Sequence, residues 1–330
     1  MSSVNSLVHN CTVLVFYTRI HSVLSTNISI PLPDEPFLLS EKKLISLLAK
    51  LPLPILSISG YCLGTLFWLI PNKKRHISNI NLCLCLPSLP RFQRLNLLRL
   101  SLINEAMTLL EIPALLSLPQ ARLDSMIKEV HGLNHLDEGI EKGKGVILAI
   151  PHLGNWELIG LYASARHPMT SLYRPQHRSP DLDDFIRVGR QRFGAKLVPT
   201  DASGVRALYK ALENNEVTAI LPDQNPGKGT GVFAPFFGQP ANTMVLLPRL
   251  ARRSGATVLY CYTERLKWCK GFRMHFIPAD DMLYNQDAVL SASSLNKGLE
   301  SCIRKIPNQY WWSYKRFNVV PDGQASPYKQ

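Results

Sequence analysis

From about residue 140 onward, short apolar runs rich in Val, Ile, Leu and Thr alternate with longer segments in which apolar positions recur at helical spacing. Strands are predicted at residues 146–150, 169–173, 196–199, 217–221, 257–262 and 272–277, and helices at 180–193, 203–214 and 243–254. Strands alternating with helices predict an α/β fold, a mostly parallel sheet flanked by helices. Residues 91–118 also keep helical spacing, so the N-terminal third reads as an α-rich layer leading into the sheet. No internal repeat or low-complexity tract interrupts the pattern.

One segment departs from it. Residues 51–70, LPLPILSISGYCLGTLFWLI, carry no charged side chain and are bracketed by Lys50 and by Lys73, Lys74 and Arg75. Twenty helical residues span about 30 Å, the thickness of a bilayer's hydrocarbon core. Pro52 and Pro54 break the first turn and Gly60 and Gly64 weaken the rest, so a tilted or half-inserted anchor competes with a full span, and a buried core helix with both. The basic flank then sits at cytoplasmic headgroups. The chain divides into an N-terminal extension (1–43), a hydrophobic membrane anchor (44–72) and a catalytic domain (73–330). The extension is no clean signal peptide, because Arg19 and His21 interrupt its apolar part.

Composition narrows the class. At 330 residues and 46% hydrophobic the chain supplies a sizeable core, and 37 Lys and Arg against 24 Asp and Glu leave a net charge of +13. That excess favours an acidic partner: nucleic acid, an anionic membrane, a phosphorylated substrate or an acidic carrier protein. The seven cysteines are scattered without a CxxC pair, which suggests neither a disulfide framework nor a zinc ribbon. Cys83 and Cys85 lack further ligands for a metal, and His131 and His135 have helical ligand spacing without the glutamate of HExxH. No metal and no cofactor is expected.

The predicted strands end on chemistry. Residue 150 is followed by Pro151 and His152, residue 173 by Arg174, and residue 221 by Pro222 and Asp223. Ligands of open α/β sheets bind beyond the carboxyl ends of the strands, so these three side chains converge on one crevice. Glu157 follows His152 by five residues. On one helix that spacing would set the two about 140° apart. They meet only if His152 lies in the turn before the helix, with Gly154 bending the chain, Asn155 capping and Glu157 in the first helical turn. An imidazole oriented by a carboxylate accepts a proton at its other nitrogen, which assists an attacking hydroxyl by about 10² to 10⁴ in rate. There is no GxSxG elbow and no cysteine beside the histidine, so direct attack by a substrate hydroxyl is simpler than a covalent acyl-enzyme.

HLGNWE resembles the HxxxxD/E motif of the glycerolipid-type acyltransferases. Its surroundings resemble the lipid A biosynthesis acyltransferase family: RHISNINLCLCLPSL at 75–89, GKGVILAIPHLGNWE at 143–157, YRP at 173–175, GRQR at 189–192, LPDQN and GVFAPFFG within 221–238, and PNQYWWSYKRF at 307–317. The resemblance implies a glycerolipid acyltransferase-like fold and transfer of a fatty acyl chain from acyl carrier protein to a hydroxyl of a lipid A precursor. It also implies a place on the cytoplasmic face of a Gram-negative inner membrane. By position, His152 is then the general base and Glu157 its orienting acid.

Arg174 serves either a phosphate of acceptor or carrier, the oxyanion, or an ion pair with Asp223. Arg190 is either a second phosphate contact or part of a solvated helix face, and Asp223 opens a glycine-rich loop read as a mobile rim of the crevice. Residues 249–273 carry seven basic side chains interleaved with Trp268 and Phe272. With no nucleic-acid module recognisable, they favour membrane or acidic carrier over nucleic acid. YWWSYKRF is expected to lie against the sheet. Alternatives to the lipid A precursor are another glycolipid, phospholipid or amino lipid acceptor, or a non-catalytic membrane-binding protein on the same fold.

Overall fold

The computed structural model describes residues 41–175, 179–227 and 229–329. The extension, up to residue 40, lies outside them. Four helices open the described chain: α1 (Glu41–Lys50), α2 (Leu53–Leu69), α3 (Lys73–Cys85) and α4 (Arg91–Leu115). After α5 (Gln120–Met126) come β1 (Ile127–His131), α6 (Leu133–Glu141), β2 (Val146–Ala149), α7 (Glu157–Ser164), β3 (Met169–Tyr173) and α8 (Pro180–Gln191). The chain continues through β4 (Lys196–Pro199), α9 (Ala202–Glu213), β5 (Val217–Ile220), β6 (Gly231–Phe236), β7 (Gln239–Met244) and α10 (Leu246–Ser254). It closes with β8 (Thr257–Arg265), β9 (Phe272–Pro278) and α11 (Ala288–Lys305).

Seven strands form one sheet in the order β1-β9-β8-β2-β5-β3-β4. β8, β2, β5, β3 and β4 run parallel, while β9 turns back antiparallel to β8 and takes β1 with it. The central strands VILA and VTAI are buried throughout because helices cover both faces. Along β2 the side chains alternate between two cores, Ile147 and Ala149 into one, Val146 and Leu148 into the other. The expected α/β architecture with a mostly parallel sheet is therefore present. Two elements differ from expectation. Residues 127–131 form an edge strand, and residues 231–244 form a hairpin where the sequence reading started a helix at Thr243. That hairpin turns at Phe237 and Gly238, both with positive φ, the two-residue turn that matches strand twist.

Among the described residues no single helix is long and apolar enough to cross a membrane. Only α2 and α3 together meet that test, and they are bent by 78° at their junction. Helix α2 lies along α4 through Leu56, Ser57, Gly60 and Gly64. The two glycines are contact points rather than weak points: a Cβ added at Gly60 would stand 2.5 Å from Met107 Cα, and one at Gly64 2.3 Å from Ile103 Cα. Its outer side leaves Ile55, Ile58, Tyr61, Leu66 and Leu69 exposed.

Candidate active site

β2 and β5 are parallel neighbours, with Ala149 opposite Ile220. His152 and Asp223 each lie three residues past those partners, so register alone delivers imidazole and carboxylate side by side at the sheet's carboxyl edge. His152 Nδ1–H donates to Asp223 Oδ1 at 2.8 Å, and the His152 backbone N–H donates to Oδ2 at 2.9 Å. This fixes the tautomer with the lone pair on Nε2, which accepts from the Gln224 side-chain amide at 3.1 Å. The Tyr310 hydroxyl also bonds Asp223. Burial by itself would raise the Asp223 carboxyl, but the charge and hydrogen bonds of His152, with a smaller effect of Arg316, outweigh it and hold it below the ordinary aspartate value. Tyr310 is pushed up by burial and by the Asp223 charge, so it stays a neutral donor.

The turn carrying His152 is held on every side. Trp156 lies 4.9 Å and Trp311 6.2 Å from the imidazole, centroid to centroid. The Trp311 N–H donates to His152 O at 3.1 Å, and Gly154 N–H donates to Gln309 O at 3.0 Å. Gly154 has φ +62°, and a Cβ there would fall 1.5 Å from Thr263 O, so no side chain fits. Arg316, fully buried, donates to Asn242 O and Thr243 Oγ1, joining the C-terminal segment to the β6–β7 hairpin.

Glu157 does not supply the carboxylate that His152 uses. It begins α7, and both its oxygens accept from Arg190 on α8, Nε at 2.9 Å to Oε2 and a second N–H to Oε1. The guanidinium fork satisfies both carboxylate oxygens at once, whereas the neighbouring strand brings Asp223 to the imidazole. Arg190 is thus half of an ion pair rather than part of a solvated face, and lies 5.8 Å from the Tyr173 ring. Asn155, expected as the helix cap, instead sends its amide to Glu111; the cap position is Trp156 without a side-chain bond. Arg174 stands exposed just past β3, and its charge acts on the Tyr314 hydroxyl.

The glycine-rich loop after Asp223 is tied at its start. Asn225 N–H donates to the Tyr314 hydroxyl at 2.9 Å, and the Asn242 amide donates to Asn225 Oδ1 and Gly227 O. The basic run 249–273 is no single surface. Arg249, Arg252 and Arg253 are exposed on α10, Arg265 is buried against Glu111, and Arg273 pairs with Glu129 and Glu264. Lys267, Trp268 and Lys270 occupy an exposed turn beside α2, Trp268 being 87% exposed. His131 bonds Glu129 and stacks on His275 at 5.1 Å, while His135 lies on α6 beside Glu138. Cys85 is buried in the core on α3, its thiol pushed far up by burial. Sequence assigned no individual role to Gln224, Gln309, Tyr310 or Glu111, and counted Arg265 only within the basic run. Only the DQ and QYWW clusters gave any signal.

A histidine on HxxxxE, bonded to a buried carboxylate at the carboxyl edge of a mostly parallel sheet, is an arrangement able to take a proton from a hydroxyl, as acyl transfer requires. The model of the bacterial lipid A biosynthesis acyltransferase family matches residues 43–319, and the chain belongs to that family. It is 29% identical over 283 residues to the lipid A biosynthesis lauroyltransferase of Escherichia coli K12, covering 86% of this chain and 91% of that one. Similarity to the lipid A biosynthesis palmitoleoyltransferase of the same organism is 28% over 284 residues, covering 84% and 90%. A phosphatidylinositol mannoside acyltransferase of Mycobacterium tuberculosis is 30% identical over 152 residues, 44% of this chain and 47% of that one. The protein is an acyltransferase.

Proposed function

We propose that the enzyme moves a fatty acyl chain from acyl carrier protein to a hydroxyl of a lipid A precursor, on the cytoplasmic face of a Gram-negative inner membrane. The observation that carries the mechanism is the 2.8 Å bond from His152 Nδ1 to Asp223, which leaves Nε2 as the only basic nitrogen of the ring. The acceptor hydroxyl takes the place of the Gln224 amide at Nε2. As its proton passes to Nε2, the oxygen attacks the thioester carbonyl and a tetrahedral oxyanion forms. The C–S bond then breaks, and the leaving sulfur takes the proton from Nε2, so that ester, free thiol and neutral histidine are restored. Asp223 balances the imidazolium formed between the two transfers. Glu157 acts one step back, by fixing Arg190, and Arg190 and Arg174 contact phosphates of the acceptor or of the carrier's phosphopantetheine.

The net charge of +13 supports an acidic carrier as donor. The outer side of α2, with Ile58 62% and Leu69 59% exposed, supports an interfacial seat in the bilayer, as does Trp268 on its lysine-flanked turn. The names of the two Escherichia coli relatives support the acceptor.

The test is incubation of detergent-solubilised protein with a pool of acyl carrier protein thioesters and a tetra-acylated lipid A precursor, products read by mass spectrometry. One added acyl mass with wild type and none with a folded His152→Ala variant is the expected result. Product in both would overturn the role of His152. No product in either, with product on a phosphatidylinositol mannoside instead, would move the acceptor.

A further inference from the structure

Behind the His152 turn lies a buried polar network that the proposed chemistry does not use. Glu111 on α4 is 0% exposed, and Arg265 at the end of β8 grips it with Nε at 3.0 and 3.2 Å and a second nitrogen at 2.6 Å. Ser57 Oγ on α2 donates to Glu111 Oε1 at 2.9 Å, and Asn155 Nδ2 donates to Oε2 at 3.1 Å. Arg265 reaches further, to Asn104 Oδ1 at 3.0 Å and Thr108 Oγ1 at 2.7 Å, and the Thr108 hydroxyl donates to Gly154 O at 3.1 Å. The Gln309 side chain closes the ring by accepting from the Arg265 N–H and donating to its carbonyl. Two consecutive residues of the catalytic turn, Gly154 and Asn155, are thus held by one ion pair and its neighbours.

Stability alone does not account for such a pair. Desolvating two charges costs about as much as their attraction returns, and apolar side chains of similar volume commonly serve a core as well or better. What a saturated polar network provides instead is one geometry. The carboxylate of Glu111 accepts from three side chains drawn from three segments far apart along the chain: α2, β8 and the turn itself. Asn155 Oδ1 is buried and, among the described residues, has no partner, so the bond to Glu111 is what orients its amide.

We infer that Glu111 is a positioning residue for the transfer reaction, holding Asn155 and through it the turn that presents His152. The inference rests on the reading of His152 as the base. Asn155→Ala is the cleanest cut, because it leaves the Glu111–Arg265 pair intact. Its kcat is expected to fall about tenfold to a hundredfold, the cost of a displaced catalytic group, with KM for the lipid acceptor within about twofold and a folded protein whose melting temperature drops only by the few degrees that loss of one buried hydrogen bond brings. Glu111→Gln leaves one acceptor oxygen for the donors of Ser57, Asn155 and Arg265 and turns an amide NH2 on the others. It is expected to lower kcat in the same way, and the double variant to be no slower than the slower single, because both substitutions act through the Asn155 bond. Wild-type kcat in Asn155→Ala would overturn the inference, as would losses that multiply in the double variant. A His152→Ala protein that keeps its activity would instead remove the reading on which the inference stands. Should Glu111→Gln fail to fold, the Asn155→Ala kcat decides alone.

Discussion

Asp223 holds an ionised carboxylate in a site that burial would neutralise, and everything around it serves that state: the His152 ring and backbone N–H, the Tyr310 hydroxyl and the nearby charge of Arg316. Asp223→Asn keeps the shape but reverses the demand on Nδ1, because an amide nitrogen facing it asks for an acceptor. The variant is expected to lose at least about 10² in kcat while binding the lipid acceptor normally, measured by steady-state kinetics on the purified enzyme. The same carboxyl has a thermodynamic signature. An ordinary aspartate titrates near 3.8, and Asp223 in the fold titrates lower. Between those values the unfolded chain holds the proton and the folded chain does not, so this contribution is complete only above about pH 5 and is lost as pH falls through the folded value. Thermal melts across the acid range should show a shallower acid limb in Asp223→Asn than in wild type. At this scale His152 was legible because it ends an apolar strand run. Its partner was misassigned because Glu157 is near in sequence, and nothing local tells that Asp223, far along the chain, is nearer in space.

At the scale of the element, α2 has two jobs on two sides. Its inner side meets the α4 backbone closely enough to require Gly60 and Gly64, and its outer side is apolar and exposed among the described residues. Gly64→Leu drives a side chain into the Ile103 backbone and is expected to cost at least about 1–3 kcal/mol in denaturant unfolding, the penalty of overpacking, whereas Ile58→Ser on the outer side should leave unfolding nearly unchanged. In sequence the glycines read as helix weakeners, because composition is visible there but the neighbour that uses the space is not. The predicted strands from residue 146 onward all formed, and the central two, VILA and VTAI, are the fully buried apolar runs that a sequence shows best. β1, with the sequence IKEVH, formed without being expected. It pairs with one neighbour at the sheet's edge, and its mixed polarity gave no such run.

Across the whole molecule, positive charge is distributed by task. Arg265 is consumed by Glu111, Arg190 is held by Glu157 yet stays partly exposed, Arg316 is buried in the C-terminal junction, and Lys267 and Lys270 remain at the surface beside Trp268 and α2. On the proposed membrane seat, cosedimentation with vesicles containing phosphatidylglycerol should exceed that with phosphatidylcholine alone and weaken as salt rises from low to physiological strength, where the Debye length is about 8 Å. Trp268→Ser with Ile58→Ser should reduce binding to both kinds of vesicle. Binding that ignores lipid charge and both substitutions would count against the seat.

By itself the sequence determined the alternation of strands and helices, the apolar helix ahead of them, and the arrival of His152, Arg174 and Asp223 at strand ends, because burial and periodicity are written locally. Only the tertiary structure decided which carboxylate serves His152, that Glu157 belongs to Arg190, that a basic run divides into four separate places, and that Glu111 stands behind the catalytic turn. Those outcomes depend on strand order, register and the burial of charge, which arise when distant segments meet.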